Sequence, residues 1–503
     1  MLVRSFNVGL FTATALLFGT SAFAQTGDAP PFDAPALNPP PAPGLSQAAP
    51  PAPSWNGGSG DPILQAPSLA PPPLESEPPF SAPGTPGPGS PIGPPGPPPG
   101  MPPGPPGGSP YYPEPRTYVP PVYVPPEPRP LLIPFEPMGP TRFWIRSEYL
   151  AWWTKDAPLP TPLVTTGSPS DPIPGALGQP NTQVLYGGQS VDMGVANGWR
   201  LDIGGWLDHE QRFGLQAGFF ILEKQQSGFG AFSDDNGNPL LGRPVTIAGG
   251  GGPSAYLDSL PGVLAGGVIV TNTSQFFGYE LNGLFKIFQT DHFRLDGILG
   301  FRYLNLHESL ELDDQIVPLT SGSLTFLGQP VDTSSTMVDF DRFETTNNFY
   351  GGQLGTQLEW TWGRWSVDLI TKLALGTTQE KAIVSGGTTV YPASGPGTSA
   401  TGGILATTAN IGEYYQNPFA VVPELDLNLA YAITPHLSVR LGYTFIYWSN
   451  VLRPGDQVNP TVSPNLIPSD PSYGQAGPNQ PQYQASATNY WAQGLNLGLD
   501  FHF

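Results

Sequence analysis

Apolar residues occupy positions 495, 497, 499, 501 and 503 of the closing stretch Leu495-Asn496-Leu497-Gly498-Leu499-Asp500-Phe501-His502-Phe503, with small or polar residues between them. A side-chain period of two marks a strand with one apolar and one polar face. Two settings produce such a strand: the edge of a soluble β-sandwich, and the last strand of an outer-membrane β-barrel. The same alternation recurs upstream. It predicts strands over 143–153, 199–208, 213–222, 277–287, 293–306, 348–360, 365–376, 422–432, 437–448 and 491–503, ten candidates in all.

The links between these strands separate the two settings. Short links (209–212, 288–292, 361–364 and 433–436) alternate without exception with long ones (154–198, 223–276, 307–347, 377–421 and 449–490). Short turns on one side and long loops on the other are the pattern of a transmembrane antiparallel β-barrel. A soluble sandwich has no reason to sort its loops. The expected fold is therefore all-β, a barrel of about ten strands (10–12), with an extra pair able to hide in 260–276 or 380–390. With ten strands, both ends of the barrel fall on the short-turn, periplasmic side.

The two faces carry different chemistry. In a barrel the apolar face meets lipid and the polar face meets the lumen. The expected lumen-lining residues are Arg146, Glu148, Arg200, Asp202, Glu280, Lys286, Arg294, Asp296, Arg302, Asp368, Lys372, Glu424, Asp426 and Arg440, with Asp208, Glu359 and Asp500 in the same phase. Both signs are well represented, and in a narrow barrel they can cross-pair and fill the interior. Trp153, Trp199, Tyr447 and Trp491 share the apolar phase at the long-loop ends. Trp360, Trp365, Phe501 and Phe503 share it at the short-turn ends. Two such belts are expected where amphipathic rings anchor at both membrane interfaces.

Composition divides the chain before the first strand. Of its 503 residues 67 are Pro and 63 are Gly, and the prolines crowd between Pro30 and Pro140. Residues 1–24 read as a secretory signal: Arg4, a short apolar run from Val8 to Phe18, and Ala22-Phe23-Ala24 as the cleavage site. Residues 25–140 read as a disordered, Pro/Gly-rich, extended periplasmic tether, because proline fixes φ and removes the backbone donor. Its expected role is a spacer, or a contact with peptidoglycan or a periplasmic protein. Residues 141–503 are then the barrel with five long extracellular loops. The chain has no Cys, which leaves out disulfides and thiolate metal sites. Its 39 acids against 19 bases make nucleic acid an unsuitable partner. A charged fraction of 12% is low for a soluble surface and fits an outside in contact with outer-membrane lipid.

No constellation points to catalysis, a cofactor or a metal. His209, His292 and His436 fall in short turns, and His502 lies on the lumen side. His307 stands beside Glu308, Asp313 and Asp314 at a loop mouth, where an acid cluster offers oxygen ligands to a divalent cation but reads more simply as a solvated loop. Arg453-Pro454-Gly455-Asp456-Gln457 reads as a tight turn, with Arg453 or Asp456 able to pair with the rim.

Several stretches resemble the outer-membrane β-barrel porin family abundant in planctomycete bacteria, the β-barrel porin-7 type. They are Tyr149-Leu150-Ala151-Trp152-Trp153, Gly300-Phe301-Arg302-Tyr303-Leu304-Asn305-Leu306, Asn348-Phe349-Tyr350-Gly351-Gly352-Gln353-Leu354-Gly355, Lys372-Leu373-Ala374-Leu375-Gly376, the run from Trp448 to Gln457, and the run from Trp491 to Gly498. The resemblance covers roughly 141–503. It implies a barrel in the bacterial outer membrane and no defined substrate. Two functions remain open: porin-like passive passage of small hydrophilic solutes or ions, or a non-conducting structural or surface-display barrel tethered to the cell wall. Similarity to outer-membrane barrels also implies that Leu495, Leu497, Leu499, Phe501 and Phe503 form the insertion signal read by the barrel assembly machinery.

Overall fold

The computed structural model describes residues 142–503; the expected signal segment 1–24 and the tether 25–140 lie outside the described residues. The strand-forming alternation gives ten long strands: β1 (Phe143–Thr154), β2 (Val195–Trp206), β3 (Phe213–Leu222), β4 (Leu264–Gln289), β5 (Phe293–Pro318), β6 (Thr336–Trp362), β7 (Trp365–Tyr391), β8 (Phe419–Thr434), β9 (Leu437–Leu452) and β10 (Ala487–His502). Each pairs antiparallel with its neighbours in chain order, and β10 pairs back to β1 from Trp144↔His502 to Thr154↔Ala492. The ring is closed, so these strands leave no edge in lipid. The amide of Arg142 donates to the carbonyl of Phe503 at 2.7 Å, which sets the two ends of the barrel side by side at the short-turn rim.

The predicted short-turn ends agree with the structure to within a few residues, and so do the opposite ends of six strands; those of β4 to β7 lie 12 to 15 residues beyond the prediction. Strands β4 to β7 run for 26 or 27 residues, more than twice what a bilayer crossing requires. The segments 264–276 and 377–391, expected to be loop or a hidden extra pair, are continuations of β4 and β7. In β5 the outward series Leu295, Leu299, Phe301, Tyr303 is apolar, but from Asn305 it becomes His307, Ser309, Glu311, Asp313 and Gln315. The inward series inverts at the same level, from Asp296 and Arg302 to Leu304, Leu306, Leu310, Leu312 and Ile316. The lower part is thus built for lipid outside, and the upper part for water outside and protein inside. From Phe293 to Tyr303, eleven residues on a tilted strand rise about 25 Å, the height of the apolar band of such barrels.

The upper wall encloses what the sequence presented as loops. Strands Pro162–Thr166, Gln183–Gly187, Leu241–Ile247, Gly252–Ser259 and Thr461–Val462 form a five-stranded sheet. Its Leu163, Val164, Val245 and Val462 share a core with Val268 and Val270 of β4, Leu310 and Leu312 of β5, Phe343 of β6 and Val384 of β7. This folded headpiece sits on the inner face of the extended wall.

Candidate functional site: the barrel interior

The interior is built in tiers, each placed by the inward phase of the strands. Nearest the short-turn rim is a cavity of about 190 Å³ lined by Trp144, Trp206, Arg294, Glu359, Asp368 and Arg440, among others. Arg294 lies over the Trp206 ring at 4.1 Å and binds Asp296 at 2.7 Å. Arg440 holds Asp368 at 2.6 Å and Asp500 at 2.8 Å, and Arg146 reaches Asp500 at 3.4 Å.

Above it the charges pair across the lumen. Arg302 of β5 and Lys372 of β7 alternate with Glu280 of β4 and Glu424 of β8 in a closed square. Its contacts are Arg302–Glu280 at 2.6 Å, Arg302–Glu424 at 2.6 Å, Lys372–Glu280 at 2.6 Å and Lys372–Glu424 at 3.1 Å. Two of these four, Arg302–Glu280 and Lys372–Glu424, are neighbours in register. The other two bridge strands three apart in the ring, so the lumen here is no wider than two side chains. Arg200 of β2 likewise crosses to Asp426 of β8 at 3.2 Å and approaches Glu148 at 3.7 Å. Gly218 makes room for this tier: a Cβ there would stand 2.6 Å from Asp202 Oδ1 and 3.1 Å from Glu280 Cγ. The remaining pocket among these residues is about 40 Å³, the size of a water molecule or two.

The third tier was not foreseen. Inward residues from all ten strands form one buried apolar layer, with Trp152, Phe220, Phe276, Phe349, Trp448 and Tyr490 at its centre. Ring contacts run across it: Trp152–Phe220 at 5.4 Å, Phe220–Phe276 at 5.1 Å, Phe276–Tyr490 at 5.2 Å, Phe276–Trp448 at 6.4 Å and Phe349–Trp448 at 6.1 Å. Phe276 and Trp448 stand on β4 and β9, opposite walls of the ring. The indole N–H groups are satisfied, Trp152 donating to Asn496 at 2.8 Å and Trp448 to Thr378 at 2.9 Å. The layer lies between the charged tiers and the headpiece, with ring contacts reaching from one wall to the opposite one. The available signal was an aromatic residue in the polar phase near the long-loop end of several strands.

Most of the expected lumen residues point inward as the alternation requires, and two do not join the interior. Asp208 lies in the 207–212 turn, where its carboxylate accepts the amides of Arg212 at 2.8 Å and Phe213 at 2.9 Å; those bonds hold its carboxyl below the usual range. Lys286 keeps the inward phase but sits past the last β3 partner of β4, at the rim. It donates to the carbonyl of Glu210 and to Gln289 at 3.1 Å. Neutral polar residues missed from sequence complete the interior, chiefly Asn282, Gln353, Thr444 and Asn496. The eight expected belt residues are all on the outer face; Trp153, Trp199, Trp360, Trp365, Phe501 and Phe503 are exposed, and Tyr447 and Trp491 are half-buried. Tyr279, Tyr303 and Tyr350 add to the upper belt in ring contact with one another.

The acids near His307 belong to a strand, not to a solvated loop. His307 faces outward and bonds Thr346 at 3.0 Å, whereas Glu308 points inward, is 2% exposed and pairs with Arg453. Arg453 is therefore the rim-pairing member of its motif; its Nη2 donates to Glu308 at 2.8 Å and its guanidinium lies over Tyr490 at 5.3 Å. Among the described residues no group of three or more His, Cys, Asp or Glu is placed to hold a metal ion.

A model of the family described as Putative beta barrel porin-7 (BBP7) matches residues 144–503. No curated protein sequence matches. Among solved structures, the chain is similar to the outer membrane protease OmpT from Escherichia coli (TM-score 0.34, 9% identity, covering 72% of this chain and 97% of that one). It is also similar to a Pseudomonas aeruginosa FadL homologue (TM-score 0.22, 9% identity, 72% and 90%). A third is the P. putida toluene transporter TodX (TM-score 0.19, 10% identity, 72% and 91%). These are distant likenesses in sequence, at 10% identity or less.

Proposed function

The chain belongs to the family described as Putative beta barrel porin-7 and is a β-barrel of the bacterial outer membrane; from that premise we propose that it is a porin-like barrel that stays shut to solutes, holding a folded headpiece at the cell surface. The observation that carries this reading is the apolar layer drawn from all ten strands, whose rings meet from opposite walls. A hydrophilic solute crossing it would lose its water with no polar partner in return. The reading gives the chain no reaction.

A second reading, passage of small hydrophilic solutes or ions once the layer is displaced, has its own support. Below the layer the lining is charged, with nine carboxylates against six basic side chains around the two cavities, which would favour cations. Conductance of the refolded protein in a planar bilayer separates the two. The shut barrel gives no discrete current steps; steps from the unaltered chain would overturn it in favour of the pore. The tether role of residues 25–140 is a further part of the proposal. Co-sedimentation of that segment with purified peptidoglycan is the expected result, and its absence would remove the wall contact.

A further inference from the structure

The headpiece meets the upper barrel wall at a buried cluster of carboxyl groups. Arg243, on the headpiece strand Leu241–Ile247, is 1% exposed. It donates from Nη1 to Asp314 of β5 and from Nη2 to Asp341 of β6 at 3.1 Å. Asp341 also accepts the amides of Leu405 at 3.0 Å and Ala406 at 2.7 Å. Asp339 accepts the hydroxyl of Thr388 at 2.6 Å. Asp258, on the adjacent headpiece strand Gly252–Ser259, is fully buried, and neither of its carboxyl oxygens finds a hydrogen-bond partner among the described residues. The same holds for one oxygen each of Asp314 and Asp339.

Four carboxyl groups therefore face one guanidinium. The other elements packed here do not correct the balance. β4 brings Val268 and Val270, β7 brings Thr388, and the 402–411 segment brings backbone amides. Asp313, on the outer face of β5, adds a further acid. If all four ionised, the joint would bury surplus negative charge on both sides of the contact, and buried like charges repel strongly. The unpaired oxygens stand where protons would be held.

We propose that Asp258, Asp314, Asp339 and Asp341 around Arg243 form a proton-held latch that fastens the headpiece to the barrel wall and loosens as pH rises. All five lie above the membrane-spanning band. Burial pushes Asp258 and Asp339 well above the ordinary carboxyl range and Asp314 to about 6. The docked state thus binds protons that the released state gives up. Docking is strongest below the ordinary carboxyl range, weakens as pH rises through about 6, and weakens further as Asp258 and Asp339 ionise. Each proton released changes the docking equilibrium about tenfold per pH unit. The latch holds or fails independently of whether the barrel conducts.

Hydrogen exchange of the full chain in detergent micelles tests it, read at pH 5 to 9 and corrected for intrinsic exchange. Peptides covering 241–259 report the headpiece, and peptides covering 293–303 serve as the barrel control. Headpiece protection is expected to fall at least about tenfold between pH 6 and 8 while the control is unchanged. Asp258→Asn, alone and with Asp339→Asn, mimics the protonated latch and is expected to flatten the profile. Flat protection in the unaltered chain would overturn the proposal, and that series needs no variant to fold. Protection at pH 8 that calcium restores and a chelator removes would also overturn it, since a cation and not protons would then hold the cluster.

Discussion

Arg453 and Glu308 lie 145 positions apart, and both are almost wholly buried where the last long connection leaves β9. Neither side chain has water to fall back on, so each is tolerated only because of the other. Arg453→Ala strands the Glu308 carboxylate inside the protein and is expected to cost about 3–5 kcal/mol, whereas replacing both by apolar residues of similar volume should cost much less. Urea unfolding of the single and double variants measures the difference; equal losses for the two would mean that Arg453 matters through its other contacts, the carbonyls of Lys155 and Asp156 and the Tyr490 ring, rather than through Glu308. The pairing was half legible in sequence. Arg453 stands at the start of a turn, which marks it as a rim residue, but its partner looked like part of a solvated acidic loop. The unbroken alternation of β5, which keeps the even positions inward past Tyr303, is what carries Glu308 to the inside.

At the scale of the strand, alternation was enough to find all ten crossings and the turns between them. Lipid on one side and a charged interior on the other enforce a period of two. Above Tyr303 the period persists but the sides exchange, so a rule that equates apolar with outward ends the strand too early. The headpiece was opaque for a different reason. Its strands are two to eight residues long and include Pro162 and Pro244, too short and too interrupted for any period to show. The level of the exchange has a measurable consequence. Leu299 and Ser309 share the outward phase of β5, one mid-band and one above it. Leu299→Arg is expected to cost about 2–4 kcal/mol in refolding into liposomes, and Ser309→Arg close to nothing. Comparable losses at both sites would move the bilayer edge upward past Ser309. Leu495, Leu497, Leu499 and Phe501 of β10, and Phe503 just past its end, are all exposed. If they are the insertion signal, removing Phe503 should reduce the heat-modifiable folded fraction in outer membranes while leaving refolding in detergent intact. Unchanged membrane assembly would assign the series to lipid contact alone.

For the whole molecule, strand number and side-chain volume together decide whether a lumen exists. Ten strands enclose a space narrow enough for Arg302 and Lys372 to reach acids on strands three away, and the expected cross-pairing of interior charges follows from that width. Ion pairs alone would still admit water and small ions. On the proposed shut reading the seal comes from Trp152, Phe220, Phe276, Phe349 and Trp448, which break the polar phase of their strands and meet in one layer. Each large-to-alanine change in such a layer costs about 3–5 kcal/mol, so only a barrel stable through its ladders survives several. Trp152→Ala, Phe276→Ala and Trp448→Ala together remove rings from three strands around the ring and open a gap in the layer between the charged tiers and the headpiece. The triple variant, once shown to be heat-modifiable, is expected to give discrete current steps in a planar bilayer where the unaltered chain is silent, with cations favoured by the nine acids over six bases below the layer. A folded triple variant as silent as its parent would move the seal from the aromatic layer to the headpiece above it.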